Sequence, residues 1–275
     1  MPLQLISFFD FHLHSPISNQ KSNEKIEWST DERVATYLAE VEDLVAVAFS
    51  DHNSFDVNFY QKMQKLIQWK TNGKTKLFPA IEIDVRREAA GYKDLNKNAL
   101  NKGNVILVFD NLMEKEQLEQ LELICKRFLH PASPIHFSKL NELFQKFSYF
   151  AIAHANKEQS FNYEDIIKIN HLIAYEVGNL KTRGDIKRID QKLHHNYAIV
   201  TGSDCHHWND RKRYSVANLR NYLPFFTNEN WNFNDLQMAI KEQNNCLLDG
   251  NRWLIQQDIN YATIKIKQIL MKWRT

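Results

Sequence analysis

The chain has 275 residues, 43% of them hydrophobic, enough to bury a large core in one globular unit. A net charge of +2 supplies no global field for a polyanion, so any nucleic-acid interface must be local. Three cysteines without a CxxC pair exclude a disulfide framework and a thiolate zinc site, and favour a reducing compartment.

In chain order, the apolar run Leu5 to Phe9 leads into Asp10-Phe11-His12-Leu13-His14. Ser29-Thr30-Asp31-Glu32 carries N-cap chemistry and opens a helix with Val34, Leu38 and Val41 at helical spacing. Leu44 to Phe49 leads into Ser50-Asp51-His52-Asn53, and Val57 to Trp69 follows as an amphipathic helix. Phe78 to Ile81 leads to Glu82. The polar stretch Arg86 to Gly103 is too long for an ordinary connection and reads as a solvated insertion or a loop over a site mouth. Val105 to Phe109 leads to Asp110, with helices expected over Leu112 to Phe128 and Phe137 to Phe147. Tyr149 to Ala153 leads to His154, and Tyr163 to Ile169 reads as a helix. Leu172 to Tyr175 leads to Glu176 and Asn179, before a helix over Gly184 to His194. Tyr197 to Val200 runs into Gly202-Ser203-Asp204-Cys205-His206. Beyond Tyr214, one helix is expected around Phe233, Leu236, Ala239 and Ile240, and another over Ile264 to Trp273. The expected division is a barrel over residues 1–215 and a helical extension over 216–275 packed on it. No secretory signal is visible, and no apolar run approaches the roughly 18 residues that span a bilayer. The expected location is cytoplasmic, away from membranes.

Short, continuously apolar strands are buried on both faces, as in a parallel sheet covered by helices. Barrels of that kind place their chemistry at strand C-termini. His12 and His14 lie two apart, so on a strand their rings share a face; Asp204 and His206 repeat the spacing. With His52, Glu82 and His154 they form a set of N and O donors suited to Zn, Mn or Fe. Gathering such groups at strand ends without a cation is costly. His12, His14, His52, Glu82, His154, Asp204 and His206 are therefore the candidate metal ligands and catalytic residues. Glu176 reads ambiguously, near the metals or paired with a lysine.

The motifs Asp10 to His14, Ser50 to Asn53, Ala153-His154 and Gly202 to His206, with Glu82 between the second and third, resemble the PHP (polymerase and histidinol phosphatase) superfamily. The resemblance spans roughly residues 5–210 and implies a distorted seven-stranded (β/α)7 TIM-like barrel holding two or three divalent ions, Mn, Zn or Fe. It implies one ion on His12, His14, Glu82 and Asp204, a second sharing Glu82 and using His154, and a third on His52 and His206. Two positions depart from the family pattern. Asn19 and Gln20 stand where the family carries an Asp or His, and the fourth strand lacks the family's His. Asn104 begins that strand and Asp110 ends it; since strand C-termini face the site, Asp110 is the expected substitute ligand. Asp10 is expected to orient a ligating imidazole through its second ring nitrogen, with Asp51 and Asn179 also supporting the ligands. Cys205 is expected to point away and pack.

Arg183, Arg211, Lys212 and Arg213 follow strand ends and are expected to rim the mouth and bind substrate, with Trp208 and Tyr214 as aromatic neighbours for stacked bases. Asn232 to Ile240 resembles the segment after the last metal motif in PHP proteins fused to, or encoded with, large P-loop ATPases, which implies a bacterial nuclease with an ATPase partner, in defence against foreign DNA. No Gly-rich phosphate cradle, GxSxG or Cys/His signature is present. The expected activity is metal-dependent hydrolysis of DNA or RNA phosphodiesters by metal-activated water. The alternatives are a small-molecule phosphomonoesterase and a PHP module that binds without turnover.

Overall fold

The computed structural model describes residues 7–21, 25–41, 43–86, 102–130, 133–155, 161, 163–177, 191, 197–209, 222–223, 231–242, 246–249 and 252–255. Apolar segments form the strands β1 (Ser7–Leu13), β2 (Leu44–His52), β3 (Lys76–Arg86), β4 (Lys102–Phe109), β5 (Tyr149–Ala155), β6 (Leu172–Val177) and β7 (Ala198–Val200). They pair in the order β7-β6-β5-β4-β3-β2-β1, and the short β8 (Tyr222–Leu223) adds antiparallel to the start of β1. The chain beyond β7 returns to the end of β1, where Leu13 and Cys205 form a parallel bridge and His14 N–H donates to the Cys205 carbonyl (3.3 Å). The sheet is thus curled into a half-barrel compatible with a TIM-like fold.

Direction matters more than order. β1–β2, β2–β3, β5–β6 and β6–β7 are parallel, but β4 runs antiparallel to both β3 and β5. Arg86 pairs with Lys102, so the polar connection 87–101, outside the described residues, joins the strands at the end where β3 finishes. An antiparallel neighbour needs no crossover helix. Strict strand–helix alternation therefore fails at β3–β4, and the end of β4 that meets the site is its beginning.

The helices follow local chemistry. In α1 (Asp31–Ala39), the Thr30 hydroxyl accepts from the Arg33 N–H (3.3 Å); in α2 (Val57–Lys70), Asp56 accepts from the Phe59 N–H (2.7 Å). In α3 (Lys115–Phe128), Gln117 accepts from the Glu114 N–H (2.9 Å), closing the first turn. The shorter α4 (Phe137–Phe144) and α5 (Tyr163–Ile166) add to the outer layer. Their apolar stripes pack on the outward residues of the strands, including Val47, Ile81, Leu107 and Ala151.

The inward residues form a separate core. Ala46 and Ala48 of β2, Phe78 and Ala80 of β3, Ile106 and Val108 of β4, and Phe150 and Ile152 of β5 follow the period of two. The helix α6 (Phe233–Glu242) closes the base of this core with Phe233, Leu236 and Ile240, together with Trp231. Phe233 stacks on Phe150 with centroids 5.3 Å apart, and Lys76 holds the Trp231 carbonyl while lying over its ring. A hairpin of β9 (Cys246–Asp249) and β10 (Arg252–Ile255) follows, so the extension contains strands as well as a helix. The expected helix over residues 264–273 and, apart from residue 191, that over 184–194 lie outside the described residues. At the opposite end, the same inward series turns polar: Ser50 and His52, Glu82, Asn104, His154, Glu176. There the site is built.

Candidate metal centre

Glu82 is the hub. Its carboxylate is buried, with Oε2 2.9 Å from His52 Nδ1, 3.5 Å from His12 Nε2 and 3.7 Å from His14 Nε2. Oε1 lies 3.6 Å from His154 Nδ1. Asp204 Oδ1 completes the ring, 3.4 Å from His12 Nε2 and 3.2 Å from His14 Nε2. His206 Nδ1 is 3.5 Å from the same oxygen, and its ring stacks on that of His14 at 4.4 Å. Glu82 thus faces several imidazoles in a buried space, with half-exposed Asp204 on the solvent side. Burial alone would protonate Glu82, but the charges of His52 and His12 hold it well below the carboxylate range. Burial likewise opposes charge on His12, yet Glu176 and Glu82 raise its pKa. His14 is pushed down to about 4 by burial. Asp204 is held low because the imidazoles of His14 and His12 beside it overcome its burial.

Two supports fix which ring nitrogen is left bare. Glu176 Oε1 lies 2.7 Å from His12 Nδ1; a carboxylate can only accept, so in the neutral form that a metal requires His12 carries its proton there and presents the Nε2 lone pair toward Glu82 and Asp204. For His14 the support is indirect. Ser18 Oγ donates to Asp51 Oδ1 (2.8 Å), which leaves it to accept from His14 Nδ1–H (3.1 Å) and from the His52 backbone N–H (3.1 Å). Asp51 also takes the N–H and hydroxyl of Ser15 at 2.7 and 2.6 Å, and burial pushes its pKa up to about 6. The Trp208 indole donates to the His14 carbonyl (2.8 Å).

The donor set fits divalent metal ions. His12 Nε2, His14 Nε2 and Glu82 Oε2 are buried, converge, and have no hydrogen-bond partner in the protein. Each orphan is expensive unless a cation completes it. Ligand atoms of His12, His14 and Glu82, of His14, His52 and His206, and of His12, His154 and Glu176 lie within 4.8 Å of one another.

His12, His14, His52, Glu82, His154, Asp204 and His206 are brought together. Asp110 is not. At the far end of antiparallel β4, its N–H donates to Ser148 and its Oδ1 accepts from Leu112 N–H (2.9 Å). The position facing the site is Asn104, whose Nδ2 donates to Glu82 Oε1 (2.8 Å). Asp10 also acts differently from expectation: its Oδ1 accepts the backbone N–H groups of His12 (3.1 Å) and Ser203 (3.3 Å), while Glu176 takes the imidazole. Burial pushes Asp10 up to about 7. Asp204 and His206 do not repeat a strand pair, because β7 ends at Val200 and Asp204 adopts left-handed backbone with φ of 48°. Cys205 is buried between the outer helices and the sheet. Trp208 is wholly buried among Trp28 and Phe49, so it offers no platform for a base. Asn179, Arg183, Arg211, Lys212, Arg213 and Tyr214 lie outside the described residues. Sequence reading missed Ser18, whose only signal was a hydroxyl four residues after His14.

No protein-family model matches the chain, and no curated protein matches it. Solved structures similar to it include PsfC from Pseudomonas syringae, with 15% identity, TM-score 0.44, and coverage of 74% of this chain and 78% of that one. A protein named as a metal-dependent phosphoesterase from Bifidobacterium adolescentis has 11% identity and TM-score 0.46, covering 74% and 89%. An amidohydrolase from Chromobacterium violaceum, with sulfate bound and no metal, has 9% identity and TM-score 0.46, covering 73% and 88%. Among the described residues no helix is long and apolar enough to cross a membrane. In the order and content of its motifs, the chain resembles the PHP superfamily of metal-dependent phosphoesterases.

Proposed function

We propose that the chain is a metal-dependent phosphoesterase whose substrates are nucleic-acid phosphodiesters. The observation that carries the metal-dependent part is the convergence of His12 Nε2, His14 Nε2 and Glu82 Oε2, buried and without hydrogen-bond partners, beside Asp204. His12, His14, Glu82 and Asp204 would hold one ion, and His52 and His206 would contribute to another beside His14. Such ions, when bound, would polarise a phosphoryl oxygen and lower the pKa of water at the site. Glu176 and the Asp51–Ser18 pair keep His12 and His14 in the tautomers that present Nε2 inward. Half-exposed Asp204 marks the side from which substrate enters.

Basic residues Arg183, Arg211, Lys212 and Arg213 support the choice of an extended anion, and the P-loop ATPase partner remains part of that reading. A small phosphomonoester is favoured instead by one observation: Trp208, one of the two aromatics that bracket the basic cluster in the sequence, is buried and cannot stack a base. The test offers metal-loaded protein labelled single- and double-stranded DNA, RNA and a chromogenic phosphomonoester, with Mn and with Zn. Phosphodiester cleavage that EDTA abolishes is expected. Turnover of the monoester alone would transfer the assignment to a phosphatase. Metal-loaded protein that hydrolyses no phosphoester would sink the enzymatic reading.

A further inference from the structure

The two oxygens of Glu82 have unlike surroundings. Oε2 faces His12, His14 and His52 and has no hydrogen-bond partner. Oε1 faces His154 Nδ1 at 3.6 Å, a separation that two ligands of one ion could span, but it already accepts the Asn104 amide N–H at 2.8 Å. We propose that Asn104 closes the His154 side of Glu82 to metal, so that the metal centre is one-sided and built on Oε2 alone. The inference rests on the metal-centre reading above and concerns where the ions sit within it.

The amide is well placed for this. Asn104 belongs to β4 directly beside β3, where Ile106 pairs with Glu82 and Asn104 with Asp84, and it is buried. Its Nδ2 brings the positive end of an N–H dipole to the oxygen a cation would need. A carboxylate oxygen engaged by a buried amide donor is a poorer ligand than one left bare, and the donor repels a cation nearby. His154 Nδ1 has no hydrogen-bond partner, so it does not itself fill the position. Asn104 Oδ1 is also buried and without a hydrogen-bond partner, and His154 lies within ligand range of Glu176 and His12, so the competing possibility is an ion on this side. If the amide turned over on loading, Oδ1 would become an oxygen ligand and the position would open. The two possibilities predict opposite results.

Metal equivalents per chain should be measured by elemental analysis after gel filtration, on wild type, His154→Ala, Asn104→His and the double variant. Cooperative thermal melting would confirm that each is folded. With the position closed, His154→Ala retains the wild-type metal content. Asn104→His replaces the blocking donor with an imidazole and gains about one equivalent, which the double variant loses again. A loss of one equivalent in His154→Ala alone would place an ion at His154, with Glu82 or Glu176, and overturn the proposal. So would a folded Asn104→His that gains none. Wild-type protein carrying no Zn, Mn or Fe is a separate result, which overturns the metal-centre reading and this inference with it.

Discussion

At the scale of single residues, the cluster of imidazoles and carboxylates was legible because its chemistry is intrinsic to residue type. Imidazoles and carboxylates after buried apolar runs have few uses besides a cation. What could not be read was which polar neighbour would serve which ligand. Glu176 rather than Asp10 takes the second nitrogen of His12, because strand β6 brings its inward carboxylate to 2.7 Å while Asp10 is spent on backbone N–H groups. Ser18 was invisible because its role depends on Asp51, 33 positions later, accepting its proton. That role is testable. Ser18→Ala removes the acceptor of His14 Nδ1–H and of the His52 backbone N–H and one of two donors to Asp51 Oδ1, and metal affinity should fall about 10- to 100-fold, as for other supports of ligating histidines. Ser18→Thr keeps the hydroxyl and should recover most of it. Competition with a calibrated chelator reads both. Equal affinity in wild type and Ser18→Ala would show that the hydroxyl does not hold the ring.

At the scale of elements, the strands were legible and the direction of one was not. An apolar run such as Val105 to Phe109 reads the same forwards and backwards, and its inward side chains alternate either way. Only pairing reveals that β4 is reversed, and with it the preference for Asp110 over Asn104 is lost. The end of β7 carries a constraint that composition hides equally well. Gly202 passes so close to β1 and β6 that a Cβ there would lie 2.3 Å from His12 Cβ and 2.9 Å from Glu176 Oε1. One contact is with the stem of His12 and the other with the Glu176 oxygen that fixes its ring, so neither can yield without moving the site. Gly202→Ala should therefore strip metal from the protein and lower its melting temperature together. Overpacking of this kind commonly costs about 1–3 kcal/mol. A variant with full metal content and unchanged melting would mean that the strand end shifts freely, and the close approach would have no bearing on the centre.

At the scale of the molecule, the inward face of the sheet is divided along its length. Apolar side chains fill one end down to α6, and polar ones take over from Ser50, Glu82 and Asn104 at the other. The amphipathic stripe of α6 was legible in Phe233, Leu236, Ala239 and Ile240. That it would close the inside of the barrel rather than lie on its outer surface was not, since a stripe records that a partner exists and not which. The division predicts that stability and metal binding separate. Leu236 is fully buried in the base, with the layers of Phe78, Ala80, Phe150 and Ile152 belonging to the same core. Leu236→Ala should cost about 2–5 kcal/mol, the range for a buried leucine whose cavity collapses only in part. Thermal or denaturant melting reads that loss. Below the transition the variant should keep the metal equivalents and chelator competition of wild type, because the site is held by β-strand registers and hydrogen bonds at the opposite end. Metal loss from a folded Leu236→Ala would mean that the base transmits its packing through the core to Glu82. The two ends would then be one cooperative structure, and the polar layer could not be treated as a centre carried on an independently packed base.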